Sequence, residues 1–271
     1  MSVMVILVGC GNMGYAMLSG WLKSGKLVAG ESFIVEPNAG LRERAGKLGA
    51  RTAAAPAEIP SDVSPELVIF AVKPQVIRTV VPDYRRFNKS GTTFLSIAAG
   101  TAIGVFEELL GGSAAVVRCM PNTPAAIGKG MMVVVSNDNV KPQAKEFVAE
   151  LLSACGEVTT IEDEELMDAV TAVSGSGPAY VFHFIEALTA AAEHAGLPAE
   201  TAKLLAMQTV YGAASLAAES REDPGVLRRQ VTSPKGTTAA ALEVLMSEDR
   251  LTKLLTEAVE AARLRSIELG K

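Results

Sequence analysis

Val3-Met4-Val5-Ile6-Leu7-Val8-Gly9-Cys10-Gly11-Asn12-Met13-Gly14 opens the chain as an unbroken apolar run closed by a glycine-rich loop. An apolar run without polar alternation is the pattern of a strand covered on both faces, as in a parallel sheet. Asn12 to Ser24 follows at once and places Met13, Met17, Leu18, Trp21 and Leu22 on a common side, which predicts a helix. A G-x-G-x-x-G loop between a buried strand and an amphipathic helix reads as a dinucleotide-binding turn. In that reading Gly9 makes the tight turn, Gly11 lets a pyrophosphate approach the backbone, and Gly14 lets helix and strand pack closely. The N–H groups at the helix start, around Asn12 and Met13, then face the phosphates. Cys10 reads as a small filler within the loop rather than a reactive thiol.

The same alternation continues downstream. Phe33 to Glu36 predicts a second strand, and Asn38 an N-cap for a helix ending near Gly49. Leu67 to Val72, Thr93 to Ile97, Ala115 to Cys119 and Met131 to Val135 predict further strands. Strands alternating with helices imply βαβ units and an α/β fold with a mostly parallel sheet. From about Asp163 no strand is expected. Helices are expected from Pro178 to about Ala195, from Ala199 to Ala218, briefly from Pro224, and over Leu242 to Leu269, with a break at Gly196-Leu197-Pro198. Alanine and leucine lie on several faces of these helices, which implies a buried interface and a homodimer or larger assembly. The expected division is residues 1–162, a dinucleotide-binding domain, and residues 163–271, a helical domain.

Bulk composition narrows the partners. The chain has 271 residues, 49% hydrophobic content and a net charge of −5. An acidic surface repels phosphate backbones and anionic lipid, so neither nucleic acid nor a membrane surface is an expected partner. Apolar stretches such as Leu67 to Val72 fall well short of a bilayer span. Met1 to Gly9 lacks the basic start and cleavage pattern of a secretory signal. The three cysteines, Cys10, Cys119 and Cys155, show no metal-type spacing and fit a reducing, cytoplasmic setting. No metal site is expected.

Further residues sit where ligands would. Glu36 lies roughly 20 residues beyond the glycine loop, where a carboxylate bonds the adenosine ribose and points to NAD. Asn38, Arg42 and Arg44 follow closely and could instead hold a 2′-phosphate, or simply form a solvated helix face. Ala71-Val72-Lys73-Pro74 closes a strand, and in open α/β sheets ligands sit beyond the carboxyl ends of strands. Met120-Pro121-Asn122-Thr123-Pro124 follows another. Ser174-Gly175-Ser176-Gly177-Pro178-Ala179-Tyr180 opens the long helix, with its N–H groups expected to face outward. Ser233-Pro234-Lys235-Gly236-Thr237-Thr238 precedes a helix and offers hydroxyls and N–H groups suited to a small carboxylate. Each of the last three also has a plain reading as a cap or turn.

Taken together and in this order, these motifs resemble the pyrroline-5-carboxylate reductases nearly end to end. The resemblance implies a Rossmann domain followed by an all-α dimerisation domain, and reduction of 1-pyrroline-5-carboxylate to L-proline by NAD(P)H. It implies cofactor contacts along Gly9 to Gly14, at Glu36 and Asn38, at Ala71 to Pro74 and at Met120, Pro121 and Asn122. It implies substrate contacts at Ser176 and at Ser233, Lys235, Gly236, Thr237 and Thr238, with the last loop donated by the dimer mate. Thr238 is the residue it implies at the ring nitrogen, and five dimers in a ring is an assembly it allows. Position 235 is often glycine in that family and is lysine here; its side chain either approaches the carboxylate or points to solvent, and solvent is the favoured reading. The family preference is for NADPH, and Glu36 leaves the choice between NADPH and NADH open.

His183 and His194 fall among apolar residues of expected helices and are read as structural, not as acid or base. A β-hydroxyacid dehydrogenase shares the architectural plan. It would need a lysine soon after the Ser174 to Tyr180 segment, and none occurs before Lys203. A non-catalytic dinucleotide sensor would not need the Ser233 to Thr238 loop.

Overall fold

The computed structural model describes residues 4–270, with the side chains of residues 89 and 90 excepted; Val3, where the sequence opens its first strand, lies outside them. The strands are β1 (Val5–Val8), β2 (Ser32–Val35), β3 (Arg51–Ala53), β4 (Leu67–Phe70), β5 (Thr93–Ser96), β6 (Ala115–Met120), β7 (Gly130–Ser136) and β8 (Gly156–Thr160). The helices α1 (Asn12–Ser24), α2 (Ala39–Gly46), α3 (Ile77–Val80), α4 (Ile103–Leu110) and α5 (Pro142–Leu152) alternate with them. One sheet holds all eight strands in the order β3-β2-β1-β4-β5-β6-β7-β8. Every neighbouring pair is parallel except β6 and β7.

Period-two geometry explains why β1 and β4, at the centre of the sheet, carry no polar residue. Val5 and Leu7 of β1 enter one core with Met17, Leu18 and Trp21 of α1 and Leu151 and Leu152 of α5. Ile6 and Val8 enter the opposite core with Phe70, Tyr84, Phe94 and Phe106. Both faces are therefore covered, and each such side chain contributes about 1.5–3 kcal/mol by leaving water. In the second core the Phe70 ring meets Tyr84 edge-on, with centroids 5.4 Å apart.

Strand order reverses between β1 and its two neighbours, β2 and β4, because the chain runs outward to β3 and then crosses back to β4. The loops after β1 and β4 therefore leave the sheet where the strand order reverses, the place at the carboxyl edge where open α/β sheets take their ligands.

The second half is helical. It comprises α6 (Met167–Val170), a wide π turn at Thr171–Gly175, α7 (Gly177–His194), α8 (Ala199–Ser220), α9 (Pro224–Gln230), α10 (Thr237–Met246) and α11 (Arg250–Leu269). The sequence assigns Leu242 to Leu269 to helix and marks no break within it. The chain instead breaks at Ser247–Asp249, where Glu248 and Asp249 both take φ of 55°. Two compact units result: one runs to Ser176 and includes the chain again from Ala262, and the other is Gly177–Ala261. Within the second unit only Ala202 and Ala206 are buried. Phe182, Leu204, Tyr211 and Leu254 are each at least 60% exposed, so its helices show apolar faces on every side.

Candidate active site

The glycine loop is shaped by close approach. Gly9 takes φ +88°, and a Cβ there would lie 2.7 Å from the Ala71 carbonyl oxygen, so the loop after β1 touches the loop after β4. A Cβ at Gly14 would lie 2.5 Å from the Gly9 carbonyl oxygen, which is how helix and turn close on each other. Gly11 differs, because nothing lies within 4 Å of the position its Cβ would occupy. Gly11 is the N-cap of α1 and offers no side-chain cap, and the first helical N–H to meet a carbonyl is that of Tyr15, on Gly11. The N–H groups of Asn12, Met13 and Gly14 thus have no helical carbonyl to meet, at the positive end of a 13-residue helix. A pyrophosphate fits that cradle, which has room above Gly11 and donors behind it.

Glu36 stands immediately past β2 and is nearly buried. Its Oε2 accepts the Cys10 N–H at 2.7 Å and its Oε1 accepts the Asn38 N–H at 2.9 Å. The carboxylate therefore stitches the glycine loop to the turn after β2. The Asn38 side chain caps α2 as expected, accepting from the Leu41 N–H. Neither arginine beyond it forms a solvated face. Arg42 donates through Nη1 to the carbonyls of Glu36 and Pro37. Arg44 donates through Nη2 to the carbonyls of Cys10 and Gly11 and stacks 3.9 Å over the Tyr15 ring. Cys10 itself is sealed beneath this network, and burial pushes its thiol up to about 11. At neutral pH it stays protonated and unreactive, a filler as read from the sequence.

Beyond β4, Lys73 is exposed at the carboxyl edge and Pro74 starts a short turn. Beyond β6, the Asn122 amide is already engaged: Oδ1 accepts the Met131 N–H at 2.9 Å, and Nδ2 donates to the Ser174 carbonyl at 3.2 Å. The methyl end of Met120 fills the place that a Cβ at Gly175 would take. The loop around Met120, Pro121 and Asn122 is thereby clamped to the π turn. The expected free helix start at Ser174 to Tyr180 is absent. Helical winding begins earlier, at α6, and passes through the π turn, so the Ser176 N–H is bonded to the Thr171 carbonyl. A π turn carries one extra residue and widens the helix, a form frequent at functional sites.

Ser176 and Pro74 line one cleft of about 270 Å³, together with Gln75, Gly100, Thr171 and Arg265. Gln75, Gly100, Thr171 and Arg265 were not singled out by motif. Gly100 follows the carboxyl end of β5, and that position in a parallel sheet is the signal that finds it. Arg265 belongs to the returning end of α11, which Ser266 ties to α6 by a hydrogen bond to Asp168.

The loop of Ser233, Lys235, Gly236, Thr237 and Thr238 lies in the other unit. Gly236 is the N-cap of α10, with no side-chain cap, so the first N–H groups of that helix are open. Thr237 and Thr238 are its first two residues. Lys235 is exposed, as expected, and takes φ 62°. The left-handed conformation explains why glycine suits this position and why lysine sits there under strain. His183 is not set among apolar neighbours: it is exposed, with Nδ1 3.1 Å from Glu186. Among the described residues no cluster suits a metal, and no helix is long and apolar enough to cross a membrane.

Comparison with known proteins agrees with this geometry. Residues 164–269 match the family model for pyrroline-5-carboxylate reductase dimerisation, and residues 3–100 match that for NADP oxidoreductase, coenzyme F420-dependent. A pyrroline-5-carboxylate reductase of Pseudomonas aeruginosa is 38% identical over 268 residues, covering 98% of this chain and 97% of the relative. The structure of such a reductase from Coxiella burnetii superposes with a TM-score of 0.93 at 33% identity, over 100% of both chains. That of a Plasmodium falciparum pyrroline carboxylate reductase with NADP bound gives 0.84 at 30% identity, over 99% of this chain and 98% of that one.

Proposed function

The chain belongs to the pyrroline-5-carboxylate reductase family, NAD(P)H oxidoreductases of proline biosynthesis, and from that premise we propose how its residues divide the reduction of 1-pyrroline-5-carboxylate to L-proline. The observation that carries the reading is the open backbone cradle at Gly11, set where the strand order reverses. A bound dinucleotide supplies a hydride from its nicotinamide C4 to C5 of the cyclic imine. The residues Gly9 to Gly14 seat the pyrophosphate, and Glu36 and Asn38 meet the adenosine end. Ala71, Val72, Lys73 and Pro74, with Met120 and Pro121, border the nicotinamide half. Asn122 acts by holding the π turn.

The substrate carries a carboxylate and a ring nitrogen. The open N–H groups at the start of α10, with Ser233, Gly236 and Thr237, suit the carboxylate. The Thr238 hydroxyl suits the nitrogen, and Ser176 offers a further hydroxyl to the substrate. A protonated imine is already electrophilic, so positioning rather than strong acid catalysis is the main demand. An exposed His183 fits that economy.

The dimerisation family makes the protein a homo-oligomer. We place each active site across the dimer interface, with residues 233–238 given by the mate, and allow association of dimers into a decamer. The domain division we favour remains 1–162 and 163–271, since the dimerisation match opens at residue 164. A cytoplasmic setting is supported by three buried free thiols.

Thr238→Ala tests the roles. We expect the rate of imine reduction to fall about a hundredfold, with NAD(P)H binding changed by less than about twofold. Unchanged steady-state turnover would remove Thr238 from the mechanism.

A further inference from the structure

We propose that Glu36 makes the adenosine end of this site select a free ribose 2′-hydroxyl, so that the chain binds NADH at least as tightly as NADPH. The inference rests on the reading that the glycine loop holds a nicotinamide dinucleotide. It concerns which one.

Three observations carry it. First, the Glu36 carboxylate is fixed by backbone. Its two oxygens accept the Cys10 and Asn38 N–H groups at 2.7 and 2.9 Å, one from the glycine loop and one from the turn beyond β2. A side chain tied at both oxygens cannot swing aside for a bulky group without breaking both bonds. Second, each carboxylate oxygen keeps lone-pair capacity after one bond. A ribose 2′-hydroxyl brings a donor to it. A 2′-phosphate brings further acceptors and negative charge, so acceptor meets acceptor and like charge meets like.

Third, the nearby cations are committed to the protein. Arg42 Nη1 bonds the carbonyls of Glu36 and Pro37 at 2.8 and 3.0 Å. Arg44 Nη2 bonds the carbonyls of Cys10 and Gly11 at 3.1 and 3.3 Å, with its guanidinium flat on Tyr15. Turning Arg42 Nη1 or Arg44 Nη2 toward a 2′-phosphate would break these bonds to the turn after β2 and to the glycine loop. The arginines brace the acidic turn rather than replace it.

The test is calorimetric titration of the whole oligomer with NADH and NADPH at one ionic strength, repeated with Glu36→Ser. The expected wild-type result is an NADH dissociation constant equal to or below that for NADPH. In Glu36→Ser the ratio should move about tenfold or more toward NADPH. Wild-type binding of NADPH more than tenfold tighter than NADH overturns the inference and leaves the reductase reading intact. Binding of neither overturns both. Because Glu36→Ser also removes the partner of the Cys10 N–H, competition against wild-type protein provides a second readout. AMP should displace NADH at least as well as its 2′-phosphorylated form, and the reverse order contradicts the proposal.

Discussion

A methyl group added at Gly11 meets nothing within 4 Å, whereas one added at Gly14 lands 2.5 Å from a backbone oxygen. The two glycines of one motif therefore differ: Gly14 is closed in by packing, and Gly11 faces open space, the place proposed for the pyrophosphate. Gly11→Ala should keep the thermal midpoint within about 2 °C while weakening dinucleotide binding tenfold or more, because the new methyl occupies the pyrophosphate's place. Gly14→Ala should lose about 1–3 kcal/mol of stability, since backbone rather than a flexible side chain must yield. Thermal melts and titrations on the two variants separate these outcomes. Equal stability loss in both would remove the distinction.

At the scale of elements, the π turn between α6 and α7 is joined to the loop after β6. Asn122 holds it by bonding Ser174 and Met131 at once. Asn122→Ala should cost about 1–3 kcal/mol by leaving the Met131 N–H and the Ser174 carbonyl without their partner. Dinucleotide affinity should stay within about twofold. Lost affinity at unchanged stability would instead put the amide on the ligand.

The same comparison shows which elements the sequence announces. The central strands β1 and β4 are unbroken apolar runs because both faces are covered, while β5 and β6 keep an apolar centre with Thr93, Ser96 and Arg118 buried among it. Strands β3 and β8 escaped notice because they are edges. Arg51–Ala53 is three residues long, and Gly156–Thr160 is largely exposed and polar, so neither needs a buried run. The break at Glu248 was hidden because its left-handed residues are acidic rather than glycine. The π turn was hidden because an inserted residue leaves the apolar pattern intact on either side. The glycine loop and Glu36 could be located by motif, but the Glu36 bonds to two backbone N–H groups arise from how two loops fold together.

For the assembled protein, the unit Gly177–Ala261 buries only Ala202 and Ala206 on its own. Two alanines cannot sustain a core, so its stability comes from contact with another copy. Placing Thr238 across that contact has a consequence for mixed oligomers. A Gly11→Val chain has an intact Thr238 loop, and a Thr238→Ala chain has an intact cofactor cradle. Co-expressed, they should recover about a quarter of wild-type activity, because half the dimers are hybrids with one complete site each. If each chain instead completes its own site, the mixture stays as inactive as its parents.

The most direct measurement mixes the purified oligomer with 1-pyrroline-5-carboxylate and either NADH or NADPH, and follows loss of the reduced cofactor alongside L-proline formed. The expected result is one proline for each cofactor oxidised, with no consumption when the imine is omitted. No loss with either cofactor would contradict the account.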